Sequence, residues 1–285
     1  MREKIVALLQ SSGDLPTLPD IVIKLNTMIR DPQSNAKAIA KLIEVDPVLA
    51  GRILKLSNSV YYSRSTTPIT TLPLAITKIG LTTMVKLVYS LKMTMLFDKI
   101  SVIDPSMFWH HSLAAAIITQ SLSRRIKTNM HMQDIAYLAG LMHDIGILVF
   151  GYLIPDEYSR FIESAACAEE SLEKQETRIF GIDHSELGAL FIDYWWNVDK
   201  NVIEAVKYHH APNSGIESNR MCNRTVHLAN GICNNAGLTN GIDTCLSVFD
   251  EGSWDELGLS SSDVEEILAD VRTSLDQATE ILSQS

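Results

Sequence analysis

Apolar positions recur along this chain with the helical period almost throughout. "PDIVIKLNTMI" places Ile21, Val22, Leu25, Met28 and Ile29 on one face, and "PVLAGRILKLSN" offers Val48, Leu49, Ile53, Leu54 and Leu56 for burial. The steps Asp46-Pro47 and Asp104-Pro105 each supply a capping carboxylate followed by proline at the first helical position, where its missing N–H is harmless. The second opens "SMFWHHSLAAAIITQSLSRRI". Between them Gly80 ends the short helix "PLAITKI" and "TTMVKLVYSLKMTMLF" forms the next long one. Further helices are predicted at about 133–151, 156–167, 171–180, 184–196, 199–210 and 220–235. "DHSE", residues 183–186, has the form of a capping box, and Ser262 with Glu265 repeats it. That second box precedes an apolar stripe of Val264, Ile267, Leu268, Val271, Leu275 and Ile281. In "LSNSVYY" the Asn58 amide is placed to satisfy backbone groups, with Tyr61 and Tyr62 adding buried ring area.

No alternating segment is long enough to argue for a sheet, so the pattern predicts an all-α fold. The long helix gives way to "DKISVID" near residues 98–104. A division there leaves an N-terminal helical subdomain over 1–104 and a second helical subdomain, with a helical tail, over 105–285.

Composition narrows the classes without naming one. The chain is 46% hydrophobic and 20% charged, which is globular composition. Its longest apolar run, "IGILVFGYLI", is too short to span a bilayer, and "MREKIVALLQ" lacks the form of a secretory signal. Cys167, Cys222, Cys233 and Cys245 form no CxxC pair and read as reduced thiols of a cytoplasmic protein. The net charge of −10 is uneven: residues 1–100 hold 13 Lys+Arg against 7 Asp+Glu, and the remainder 11 against 27. This surface argues against nucleic-acid binding, and the scattered cations of the N-terminal third read as solvated helix faces.

Histidines and carboxylates concentrate elsewhere. His110, His111, His143, Asp144, His184, His209, His210, His227 and Asn230 all lie in or beside predicted helices, with His143-Asp144 embedded in the oily run "AGLMHDIGILVF". A histidine beside a carboxylate in apolar surroundings is costly unless both are paired. Inward-facing imidazole and carboxylate groups can build a metal site in a helical bundle, and that donor set suits Fe, Mn, Ni or Zn better than Ca or Mg. A single histidine on an apolar face is ordinarily a hydrogen-bonded core residue, and spacing alone leaves both readings open.

"HHSLAA", "AGLMHDIG", "DHSELGALFIDYWW", "AVKYHH" and "VHLANGIC" together resemble the HD superfamily of metal-dependent phosphohydrolases. With "LPTLPDIVIKLNTMI", "IAKLIEVDPVLAGRILKLSNSVYYS" and "ITTLPLAITKIGL" ahead of them, the set is similar to the HDOD family, from about Leu15 to Ala211. The resemblance implies an N-terminal helical bundle packed against an HD-like bundle, in a bacterial output or adaptor module. It implies a metal set of His111, His143, Asp144, His184 and His210, with Asn230 where the superfamily carries a further Asp, and a divalent metal (Fe, Mn, Ni or Zn) as cofactor. Ile147 stands where a lysine usually follows the doublet.

Two functions are consistent with these residues. The first is a signalling or regulatory protein acting through contacts with a signalling partner, its HD site degenerate. The alternative is a metal-dependent phosphohydrolase acting on a nucleotide or other phosphoester, with Asp144 as the catalytic carboxylate. Asn230 and Ile147 favour the first; the retained histidines favour the second.

Overall fold

Asp-Pro steps and glycines set many of the helix boundaries. The computed structural model describes all residues except 14, 32–33, 60–67, 98–99, 166–169, 197, 243–253, 255 and 283–285. Among the described residues every regular element is a helix. Tyr61 and Tyr62 lie outside the described residues, as do the side chains of Ile29 and Ile281.

The chain forms two units: residues 1–16 with 98–268, and residues 17–97 with 269–285. Helix α1 (Arg2–Ser11) therefore belongs with the histidine-rich part, which a single cut near 98–104 does not express. The reason is packing. Ile5 and Leu9 are buried, Trp195 Nε1 donates to Leu9 O (3.2 Å), and Trp196 Nε1 donates to Pro16 O (2.9 Å).

Residues 17–97 contain α2 (Asp20–Arg30), α3 (Ala36–Glu44), α4 (Pro47–Ser57), α5 (Leu72–Ile79) and α6 (Leu81–Thr94). Val22 and Leu25 of α2, and Leu49, Ile53 and Leu56 of α4, enter the core as their spacing predicts. Val48 does not. It is 61% exposed, while its neighbour Leu49 in the same turn takes the inward face. Asp46 caps α4 by accepting from Leu49 N–H (3.0 Å), and its other oxygen accepts from Lys92 Nζ (2.7 Å). Gly80 ends α5 at φ +85°, a conformation costly for other residues, and the chain bends by 115° into α6.

In the larger unit α7 (Pro105–Arg125) is buried along most of its length, as a central helix must be. Asp104 caps it through Ser106 and Met107 N–H. The unit also holds α8 (Met130–Met142), α9 (Ile145–Leu153), α10 (Pro155–Ala165), α11 (Leu172–Phe180), α12 (His184–Phe191), α13 (Lys200–Lys207) and α14 (Arg220–Asn235), of which α8 and α14 pack most closely on α7. Helix α12 runs on into a π-helical turn, Ile192–Trp196. Asp183 caps α12 through Glu186 N–H, while the Glu186 carboxylate pairs with Arg2 (2.6 Å) instead of closing the box. The last helix, α15 (Ser261–Leu282), starts two residues earlier than its predicted box implies. Ser260 and Asp263 form the reciprocal cap in place of Ser262 and Glu265. Arg125 pairs with Asp263 and Glu266 of this helix.

Together α8 and α9, Met130–Leu153, are long and apolar enough to cross a membrane, a longer stretch than the ten-residue run suggests. Its most apolar window is 89% buried inside the protein. That is how a core helix of a folded domain behaves.

Candidate metal centre

His143 and Asp144 lie in a break between α8 and α9 and not inside one helix spanning 133–151. On a continuous helix consecutive side chains diverge by about 100°. The break lets both face one point. Gly146, at the start of α9, makes room for α12: a Cβ there would stand 1.9 Å from His184 O, and Gly188 sits against the same crossing. This close approach carries His184, the first residue of α12, to the doublet. His111 comes from the middle of α7. His209 and His210 follow the end of α13 in a tight turn, where adjacent residues need not diverge.

Five of the imidazoles surround Asp144. Its Oδ1 lies 3.2 Å from His143 Nε2, 3.5 Å from His184 Nε2 and 3.6 Å from His209 Nε2. Its Oδ2 lies 3.4 Å from His111 Nε2 and accepts from Asn240 Nδ2 at 2.7 Å. His210 Nε2 is 2.8 Å from His184 Nε2. The side chains of His111, His143, Asp144, His184 and His209 are 0–2% exposed, and His210 is 24% exposed.

The far side of each ring explains the near side. His111 Nδ1 donates to Leu238 O (2.6 Å), His143 Nδ1 to Gly140 O (2.8 Å) and His209 Nδ1 to Val206 O (2.7 Å). His184 Nδ1 donates to Glu176 Oε2 (2.6 Å). A carbonyl oxygen can only accept, so in the first three rings Nδ1 carries the proton and a neutral ring presents a lone pair at Nε2. The inward nitrogens of His111 and His143 then face each other at 3.1 Å, acceptor to acceptor. Among the described residues His209 Nε2 has no hydrogen-bond partner, although it is buried. Such an arrangement is repulsive unless a proton or a cation lies among the donors. It is the tautomer pattern that outer-shell carbonyls impose on metal-bound histidines.

The electrostatics agree. Burial alone would raise the Asp144 carboxyl, but the facing rings, His143 first and then His111 and His209, hold it well below its usual value. Burial lowers His143 despite Asp144, and burial with His209 and His184 pushes His210 far down. Burial works against charge on His184 too, yet the carboxylates of Glu176 and Asp144 raise it to about 10.

Every member of the sequence-derived set His111, His143, Asp144, His184 and His210 is therefore in one cluster. The donors form two groups that share Asp144, His111–His143–Asp144 and Asp144–His184–His209–His210, each with its ligand atoms within 4.8 Å of one another. Asn230 is nearly buried on α14, where its Oδ1 accepts from Asn234 Nδ2 (3.0 Å). His227 stands outside the donor groups: its Nδ1 donates to His209 O (2.7 Å) and anchors that turn. The predicted set leaves out His209, Glu176 and Asn240. The His209-His210 doublet is visible in the sequence, but a helix running through 199–210 would have turned one member away.

The family model of the HDOD domain matches residues 15–212. Among solved structures, the fold is similar to an HDOD domain protein of unknown function from Geobacter sulfurreducens. The TM-score is 0.80 and the identity 23%, covering 99% of this chain and 98% of that one. It is also similar to a protein from Shewanella amazonensis described as a candidate phosphohydrolase, with TM-score 0.75 and 23% identity over 97% and 98% of the two chains. A candidate signal transduction protein from Marinobacter aquaeolei gives TM-score 0.76 at 20% identity, over 99% of this chain and 66% of that one. An uncharacterised protein of Treponema pallidum is 24% identical over 197 residues, 69% of this chain and 38% of that protein's length. The structural likenesses, all at low identity, show the fold.

Proposed function

Because the chain belongs to the HDOD family, we propose that it is a bacterial, cytoplasmic regulatory protein whose buried histidine cluster holds a divalent metal and which acts by contact with a signalling protein. Donor chemistry supports the metal. Lone pairs on at least three oriented imidazoles and one carboxylate converge at 3.1–3.6 Å. Ligands about 2.1 Å from a common ion lie about 3.0–3.4 Å apart. His111, His143, Asp144, His184, His209 and His210 would hold it, and imidazole with carboxylate favours Fe, Mn, Ni or Zn.

One observation carries regulation over turnover: the cluster is closed. All its members except His210 are at most 2% exposed, and among the described residues the ion-pair partners of Asp144 are all imidazoles. A phosphoester needs access to the metal and cations that take up developing charge. Ile147, where the resemblance places a lysine, is wholly buried in α9. The phosphohydrolase reading, with Asp144 catalytic, draws support from the retained donors alone. Both are tested by assaying the purified chain against nucleotides, cyclic dinucleotides and simple phosphoesters with Mn, Fe, Ni or Zn added. No metal-dependent turnover is expected. Turnover that disappears in a folded Asp144→Ala variant would replace regulation with catalysis.

A further inference from the structure

Glu176 is fully buried on α11 and accepts three hydrogen bonds. Oε2 takes both the backbone N–H of His184 (2.7 Å) and its Nδ1–H (2.6 Å), while Oε1 takes the Tyr158 hydroxyl (2.5 Å). With every bond received and none given, the group is a carboxylate. Burying a charge is costly unless it is paired, and among the described residues the one ion-pair partner of Glu176 is His184. Local structure asks only for an acceptor there, to take the His184 N–H at the start of α12, and not for a charge. The N-terminus of α12 is already capped by Asp183, and α11 begins after Ser171.

The two contacts to His184 come from opposite ends of one residue and fix its side-chain rotamer. They direct Nε2 toward Asp144 and His210. Asp144 is the only carboxylate in either donor group, so a divalent cation there would leave net positive charge in the interior. We propose that Glu176 is a positioning residue of this centre: through His184 it supplies the second negative charge that makes a bound dication neutral, while locking the ring that binds it. The inference rests on the metal reading above.

The test is a Co²⁺ titration of the purified full chain against a competing chelator, with the visible spectrum of the bound ion recorded. Glu176→Gln keeps the shape and an acceptor oxygen but removes the charge. It is expected to weaken Co²⁺ binding by on the order of tenfold or more and to shift the spectrum. Tyr158→Phe, which leaves the carboxylate on His184, should lose stability yet bind Co²⁺ as the wild type does. If Glu176→Gln does not fold, Glu176→Asp takes its place, since its shorter carboxylate no longer reaches Nδ1. A folded Glu176 variant with wild-type affinity and spectrum overturns this inference and leaves the metal reading standing. So does a Tyr158→Phe variant that loses as much affinity as the Glu176 variant, because packing then accounts for the effect. A wild-type chain that binds no Co²⁺ overturns both.

Discussion

At Asn58 a single amide ties two segments together. Its Nδ2 donates to Leu54 O and Ile69 O (2.8 Å each), and its Oδ1 accepts from Ile69 N–H (2.7 Å). Truncation strands the Ile69 backbone, so Asn58→Ala should cost about 1–2 kcal/mol, read as a lower denaturant midpoint at unchanged slope. Only the bond to Leu54 was legible in the sequence, because it is local; the pairing with Ile69, eleven residues on, was not. The cap at Asp46 and the stop at Gly80 depend on neighbours within four residues. Glu176 was not legible: it sits eight residues before His184 on a helix of mostly polar sequence, and only tertiary packing turns it inward.

Helix interiors followed the apolar period, and helix ends departed from it where tertiary demands took over. The oily run of α8 and α9 masks the break at His143-Asp144, since hydrophobicity continues straight across it. Gly146 is the element-scale cause of the site, because it lets α9 and α12 touch backbone to backbone. A Cβ 1.9 Å from His184 O forces the helices apart. Gly146→Ala should therefore destabilise the fold by about 1–3 kcal/mol in thermal or denaturant unfolding. It should also weaken metal binding without touching a donor.

At the head of α4, the Leu49 N–H and then Lys92 hold the Asp46 carboxyl below its ordinary 3.8. Because the folded value is the lower one, its stabilisation is complete above about pH 4 and is lost as pH falls through the folded value. Asp46→Asn keeps a capping oxygen but not the charge. The stability gap between wild type and variant should be constant from pH 7 to about 5 and shrink below pH 4. Parallel unfolding curves in acid would contradict the assignment.

For the molecule as a whole, the described parts form two helical units, and the histidine cluster lies entirely within the one built from residues 1–16 and 98–268. Its donors come from α7, the α8–α9 break, α12 and the turn after α13, so the site exists only once that unit is assembled. On the proposed function these inward lone pairs enclose a cation. Metal analysis of the full chain, purified without chelator, tests it most directly. Fe, Mn, Ni or Zn is expected near or above one ion per chain, and is expected to be lost in a folded Asp144→Ala variant. Wild-type protein free of transition metal, and still free of it after exposure to each of the four ions, would contradict it.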